Sequence, residues 1–358
     1  MSCIYNMTTN KTANLSDHPT VRLMRQRPHN EPAPLDGDAL RALAREAGAD
    51  DAGVVSIDRP EIAGQRHDIL ALFPRARTLV AFVVRMNRDS IRSPARSIAN
   101  LEFHRAGDET NDVAHKIVRR LNDLGHGAVN PAVGFPMEMD RFPGKTFVVS
   151  HKPIAVAAGL GVMGIHRNVI HPRFGNFVLL GTVVTDVPLD QDSAPLDFNP
   201  CLECKLCVAA CPVGAISSDG AFDVSACFTH NYREFTGGFI DWVEQIANAK
   251  NARDYRARVA DSESASMWQS LSFGANYKAA YCLAVCPAGE DVIGPFLGSR
   301  AEFLADVVRP LRSAGVADPP IRSDHPSEAV RASDSAWISR CPGNRRCPRP
   351  GGVPQPRS

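Results

Sequence analysis

The stretch CLECKLCVAACP, from Cys201 to Pro212, constrains this chain more than any other. Cys201, Cys204 and Cys207 follow C-x2-C-x2-C spacing, which lets three thiolates on one tight loop reach three irons of a single cubane cluster. Cys211, directly before Pro212, points toward a different cluster, so the run requires a second one elsewhere in the chain. That second run is Cys282-x3-Cys286-Pro287. Structural zinc does not account for the pattern, because zinc sites pair two C-x2-C knuckles and have no use for a triple run closed by Cys-Pro. Seven of the ten cysteines lie between Cys201 and Cys286, a clustering that suits metal ligation in a reducing cytoplasm better than a secreted disulfide framework.

By the pseudo-symmetry of two-cluster ferredoxins, Cys286 completes a first [4Fe-4S] site with Cys201, Cys204 and Cys207. The second site has Cys211, Cys227 and Cys282, while position 279, where a full run would carry a cysteine, is Ala279. It is therefore expected to hold a [3Fe-4S] cluster, or a [4Fe-4S] cluster with a non-cysteine or exogenous ligand, or to be degraded. His230 is one substitute ligand, although packing is the ordinary role of such a histidine.

With 358 residues and 44% hydrophobic content, the chain is long enough for one large domain and a smaller one. Its formal charge of +1 gives no electrostatic case for nucleic acid or an anionic membrane, and no run approaches the roughly 20 apolar residues of a membrane span. Residues 1–35 read as disordered. DALRALAREAG has helical apolar spacing and ends at Gly48; AGVVSI, TLVAFVVRM and NFVLLGTVVTD read as strands; Val113, Ile117, Leu121 and Leu124 form a helical stripe that Gly125 stops. The alternation predicts an α/β or α+β domain over 36–195, followed by a ferredoxin-type domain over 196–300. Within the latter, 228–278 is a helical insertion in which Phe239, Trp242 and Ile246 share one face, as ordinary packing requires. Residues 301–358 read as a helix and a disordered tail; Cys341 and Cys347 lie there without a second pair.

AAGLGVMG places Gly159, Gly161 and Gly164 in G-x-G-x-x-G register, with Asp186 where a Rossmann fold keeps its ribose-binding acid. A dinucleotide site needs a helix starting at the glycines, yet IHRNVIHPRFG meets Pro172 and Gly175 within about two turns. These glycines are instead expected to let the backbone approach another large flat cofactor.

AGLGVMGIHRN, FGNFVLLGTVVTDVPL, CLECKLCVAACPVGAI, Cys227 sixteen residues after Cys211, and CLAVCPAG, in that order, resemble the epoxyqueuosine reductase and reductive dehalogenase superfamily over roughly Asp38 to Pro295. The resemblance implies a nitroreductase-like cobalamin-binding domain fused to a two-cluster ferredoxin-like domain that feeds electrons to cobalt. It implies cobalamin held without a protein axial ligand, with Gly159, Gly161 and Gly164 in the cofactor wall. Cys201, Cys204, Cys207 and Cys286 match the family's first cluster, and Cys211, Cys227 and Cys282 match three of four ligands of its second.

The segment VVSHKPIAVAAGLG departs from the family, whose reductases carry a proton-donating aspartate in D-[ST]-x-P. Here Ser150 takes that place beside His151 if a gap is allowed, and Lys145 without one; Asp140 and Asp186 are alternative acids. His151 has a suitable unperturbed pKa and an equally ordinary role as a hydrogen-bonded residue at a strand end. Together these readings predict a cytoplasmic reductase with a small-molecule or tRNA-borne substrate, fed by an external ferredoxin or flavodoxin and without a membrane partner. An electron-transfer protein without its own catalysis and a flavin-dependent reductase are the alternatives. Dehalogenation fits less well, because Arg22 to Arg27 lack the apolar sequel of a twin-arginine leader.

Overall fold

A computed structural model describes residues 15–26, 32–134, 147–234, 237–277 and 281–316. Within the leading segment read as disordered, it forms a helix α1 (Pro19–Gln26) with no buried residue. The chain then runs through α2 (Gly37–Glu46), β1 (Asp51–Ser56), α3 (Arg66–Leu72), β2 (Thr78–Arg85), α4 (Arg88–Arg92), α5 (Arg96–Asp123) and β3 (Ala128–Val129). Asp36 caps α2 by accepting the Ala39 N–H at 2.8 Å, and Gly125, at φ +89°, turns the chain out of α5 as its stripe ends. Next come α6 (His151–Ala157), β4 (Val162–Met163), β5 (Val169–Ile170) and β6 (Val178–Thr185).

Strands β1, β2, β6 and β3 form one sheet in the order β1-β2-β6-β3, and every pairing is antiparallel. This settles the choice between α/β and α+β in favour of α+β. Both faces are covered. Val80, Phe82 and Val84 of β2 pack with Leu40 of α2 and Ile117 and Leu121 of α5, while Leu79, Ala81 and Val83 pack with Ile69 of α3 and Ile154 of α6. Period-two alternation is present, but it sorts one apolar residue from the next, which is why the strands read as unbroken apolar runs.

The cysteine-bearing segment follows as α7 (Leu206–Ala210) and α8 (Val224–Asn231), then α9 (Gly237–Ala247), α10 (Ala252–Arg258) and α11 (Asp261–Phe273), then α12 (Tyr281–Ala284). Beyond these lie α13 (Gly294–Gly298), α14 (Arg300–Phe303) and α15 (Arg309–Val316). A second core joins this part to the sheet layer: Leu206, Cys207 and Ala210 of α7, Leu283 and Ala284 of α12, Phe303 and Leu311 pack with Ile91 of α4, Ala99 and Ala106 of α5, and Phe177 before β6. The insertion helices hold one another, with the Trp242 indole donating to the Tyr255 hydroxyl at 2.8 Å, while Ile246 stays 45% exposed. They dock on α5 through the Tyr277 N–H, which donates to Asn100 Oδ1 at 3.0 Å. Ala279, Lys145, Asp140, Cys341 and Cys347 lie outside the described residues, as does the tail after 316.

Candidate iron–sulfur centres

The loop before α7 brings the first three cysteines together by two left-handed residues that are not glycine, Glu203 at φ +49° and Lys205 at φ +63°. Such conformations cost free energy and persist where surrounding structure holds them, often at functional sites. Cys201, Cys204, Cys207 and the distant Cys286 line one narrow pocket, with His166 and Ala288 in its wall. All seven described cysteines are free thiols. Burial pushes the Cys207 thiol up to about 11, and Cys204 and Cys201 push it further in the same direction. Cys286 is raised by burial and then by Cys204, Cys201 and Cys207.

A second group stands beside the first. Burial holds Cys227 at about 11, with Cys211 as the next cause, and Cys282 at about 12, with Cys227, Cys207 and Cys211 adding to it. Cys211 Sγ accepts the Ala215 N–H at 3.2 Å. Cys207 of the first group packs in one apolar cluster with Cys211 and Cys282 of the second, so the two groups adjoin. Buried thiols that repel one another as thiolates need a compensating cation, and iron supplies it, so this donor set fits iron–sulfur clusters. No three His, Cys, Asp or Glu side chains among the described residues converge closely enough to hold one metal ion. Cysteines spread around a cavity suit a cubane, in which each sulfur takes a different iron.

His230 is buried on α8, its ring 6.4 Å from that of Tyr281. Two residues that sequence reasoning passed over stand at the second group: Asn168 Nδ2 lies 3.8 Å from Cys282 Sγ, and Lys152 Nζ donates to Asn168 Oδ1 at 3.2 Å. Both sit inside segments already quoted, GIHRN and SHKP, but only the fold brings those segments to the cysteines.

The candidates in the sheet layer are held by the protein itself. Where the sequence allowed a strand end, His151 is the first residue of α6; its Nδ1 is 2.9 Å from Thr182 Oγ1 and its Nε2 3.4 Å from the Ala132 carbonyl. Burial lowers its pKa to about 4, so the ring is neutral near pH 7. Ser150 precedes α6, and its N–H donates to Gln65 Oε1 at 2.9 Å. Asp186 accepts the Gly127 N–H at 2.8 Å and pairs with Arg75 at 3.6 Å. A Cβ at Gly159 would run into the Ala194 carbonyl oxygen; at Gly161 it would lie 2.6 Å from the Ile170 carbonyl oxygen, and at Gly164 2.7 Å from Ile170 Cδ1. Backbone packing within the chain thus accounts for glycine at 159 and 161, while Gly164 meets only side-chain ends, and the short β4–β5 hairpin, not a helix, follows the first two.

Residues 194–217 match the family of 4Fe-4S binding domains. Over 126 residues the chain is 31% identical to epoxyqueuosine reductase of Vibrio cholerae, covering 34% of this chain and 32% of that protein. Over 135 residues it is 32% identical to epoxyqueuosine reductase of Escherichia coli, covering 37% and 34%. The aligned stretches thus span about a third of these curated relatives. Among solved structures, a catabolic reductive dehalogenase aligns with 78% of this chain and 35% of its own at TM-score 0.46 and 18% identity. Epoxyqueuosine reductase from Streptococcus thermophilus aligns with 77% of this chain and 78% of its own at TM-score 0.42 and 14% identity. Over about a third of its length, then, the chain is similar in sequence to curated epoxyqueuosine reductases, and that stretch is where the likeness lies.

Proposed function

We propose that this chain is an oxidoreductase that carries electrons through two iron–sulfur clusters to a cobalamin-assisted reduction. The observation that supports it most is the meeting of Cys201, Cys204 and Cys207 with Cys286 around one cavity. These four would hold the first [4Fe-4S] cluster; Cys211, Cys227 and Cys282 would hold the second, of three or four irons. The sheet layer over 36–195 would be the nitroreductase-like, cobalamin-binding domain, and 196–300 the ferredoxin-type domain. When bound, the clusters supply single-electron transfer and cobalamin supplies a cobalt able to attack or coordinate an electrophile. The protein's own part is to keep the sites adjacent and to bury their cysteine sulfurs. A place for Gly159, Gly161 and Gly164 beside cobalamin is carried by the resemblance, separately from their packing role. The proposed setting is the cytoplasm, with an external ferredoxin or flavodoxin as donor and a small-molecule or tRNA-borne substrate; among the described residues no helix is long and apolar enough to cross a membrane.

One observation favours the second reading, an electron-transfer protein without its own catalysis: His151, Ser150 and Asp186 are engaged internally. Anaerobic purification followed by visible spectroscopy with added cobalamin or flavin separates the readings. The primary one requires on the order of 7 to 8 irons with matching sulfide, and cobalamin bands that change on binding. Zinc without sulfide overturns the cluster assignment. Flavin uptake without a cobalamin response replaces the cobalamin assignment, and no response to either leaves electron transfer alone.

A further inference from the structure

The second cysteine group has a polar wall that cluster ligation does not require. After Gly164 the chain turns sharply: His166 Nδ1 accepts the Asn168 N–H at 3.1 Å, and Arg167, between them, is left-handed at φ +60°. This turn exposes the Arg167 carbonyl to Lys152 on α6, whose Nζ donates to it at 2.7 Å and to Asn168 Oδ1 at 3.2 Å. An ammonium can only donate, so the amide oxygen must face Lys152 and the NH2 must face the other way. There, Nδ2 donates to Cys282 Sγ at 3.8 Å. The Arg167 guanidinium ties the same turn to the Gly220 carbonyl at 3.3 Å, fixing it against the chain between Cys211 and Cys227.

An N–H donor to a ligating sulfur and a nearby cation both favour the more negative, reduced state of a cluster and so raise its reduction potential. We propose that Asn168 sets the potential of the second cluster through its N–H···S bond to Cys282, with Lys152 as the positioning residue that orients the amide and adds its charge. This rests on the two-cluster reading above. The pair gives the second site a higher potential than its three cysteines alone would, and so biases electrons toward it from the adjoining first site.

The test is an EPR-monitored redox titration of the full chain, purified anaerobically, with iron counted in parallel. Asn168→Asp keeps the side-chain shape but replaces the donor with an acceptor. Its second-cluster midpoint should fall so that the oxidised-to-reduced ratio at fixed potential rises about tenfold, equivalent to about 59 mV for one electron, while the first cluster stays put. Asn168→Ala and Lys152→Met should shift it in the same direction, and Lys152→Arg should retain most of the wild-type value. An unchanged midpoint in both Asn168 variants overturns the proposal, as does an equal shift of both clusters. Loss of second-site iron in both assigns Asn168 a structural role and overturns it too. A wild-type protein with one cluster fails the two-cluster reading itself, and the inference with it; two wild-type clusters and unmoved variants sink the inference alone.

Discussion

His151 of the sheet layer and Cys286 of the cysteine layer are buried alike, each 7% exposed. The imidazole has Thr182 and the Ala132 carbonyl within reach, and its environment holds it neutral. The Cys286 sulfur instead lines a cavity with three other thiols. Burial therefore does not distinguish a structural group from a functional one; what surrounds the buried atom does. In the sheet layer, Ser150, His151, Asp186 and the three glycines all meet atoms of their own chain. In the cysteine layer four sulfurs from two distant runs share the lining of one pocket, the donor set that the proposed cluster would use.

The largest expected effect tests that contrast at its centre. Cys286→Ser should remove about four irons per chain by taking away the one ligand that comes from the far run, while Cys211, Cys227 and Cys282 keep theirs. Iron and sulfide assays check this. Loss of all iron from this variant would merge the two sites into one cooperative unit, and loss of none would free Cys286 from ligation.

Next in size is the vacancy at 279. Ala279→Cys restores the family spacing ahead of Cys282, and it should raise bound iron by about one per chain while an oxidised three-iron EPR signal gives way to a four-iron species. A wild type with two oxidatively stable four-iron clusters, unaffected by His230→Ala, would show that another ligand completes the site.

Cysteine spacing made the grouping of Cys201, Cys204 and Cys207 around one pocket legible, because C-x2-C-x2-C is a local geometric pattern written into one loop. Its fourth member was legible only through the symmetry of two runs. Apolar runs located β1, β2 and β6, and the stripe from Val113 to Leu121 located α5. Strand direction was not legible, since it depends on which strands pair across the chain and not on the residues of any one. Lys152 and Asn168 were hidden for the same reason: sixteen residues apart in sequence, they become neighbours through the turn at Arg167. The shared face of Phe239, Trp242 and Ile246 read as ordinary packing, and it is partly spent within the insertion, where Trp242 meets Tyr255 while Ile246 stays exposed.

The glycine block offers a third test, in the sheet layer. Gly161→Val would set its Cβ against the Ile170 carbonyl and the Val169 side chain, and overpacking of this kind costs about 1–3 kcal/mol. Thermal unfolding without any added cofactor should therefore show a lowered midpoint. An unchanged midpoint together with lost cobalamin binding would return the glycine to a purely ligand-facing role and break the contrast between the layers.

Near neutral pH the smallest effect is that of His151, which grows only on acidification, and its sign follows from linkage. Its folded pKa of about 4 lies below the unfolded value of about 6.5, so above the latter neither state is protonated and the group costs nothing. As pH falls from about 6.5 toward 4, the unfolded chain takes up a proton that the folded chain refuses, and stability declines. The full loss, on the order of 3 kcal/mol, is reached only below about pH 4. His166, also lowered to about 4 by burial, acts in the same sense. His151→Gln should thus make the unfolding midpoint vary less between pH 6.5 and 4 without making it independent of pH. Were the dependence unaltered, His151 would not be a neutral buried strut. It would regain its standing as a proton donor, and the sheet layer would no longer differ from the cysteine layer in having its candidate groups already engaged.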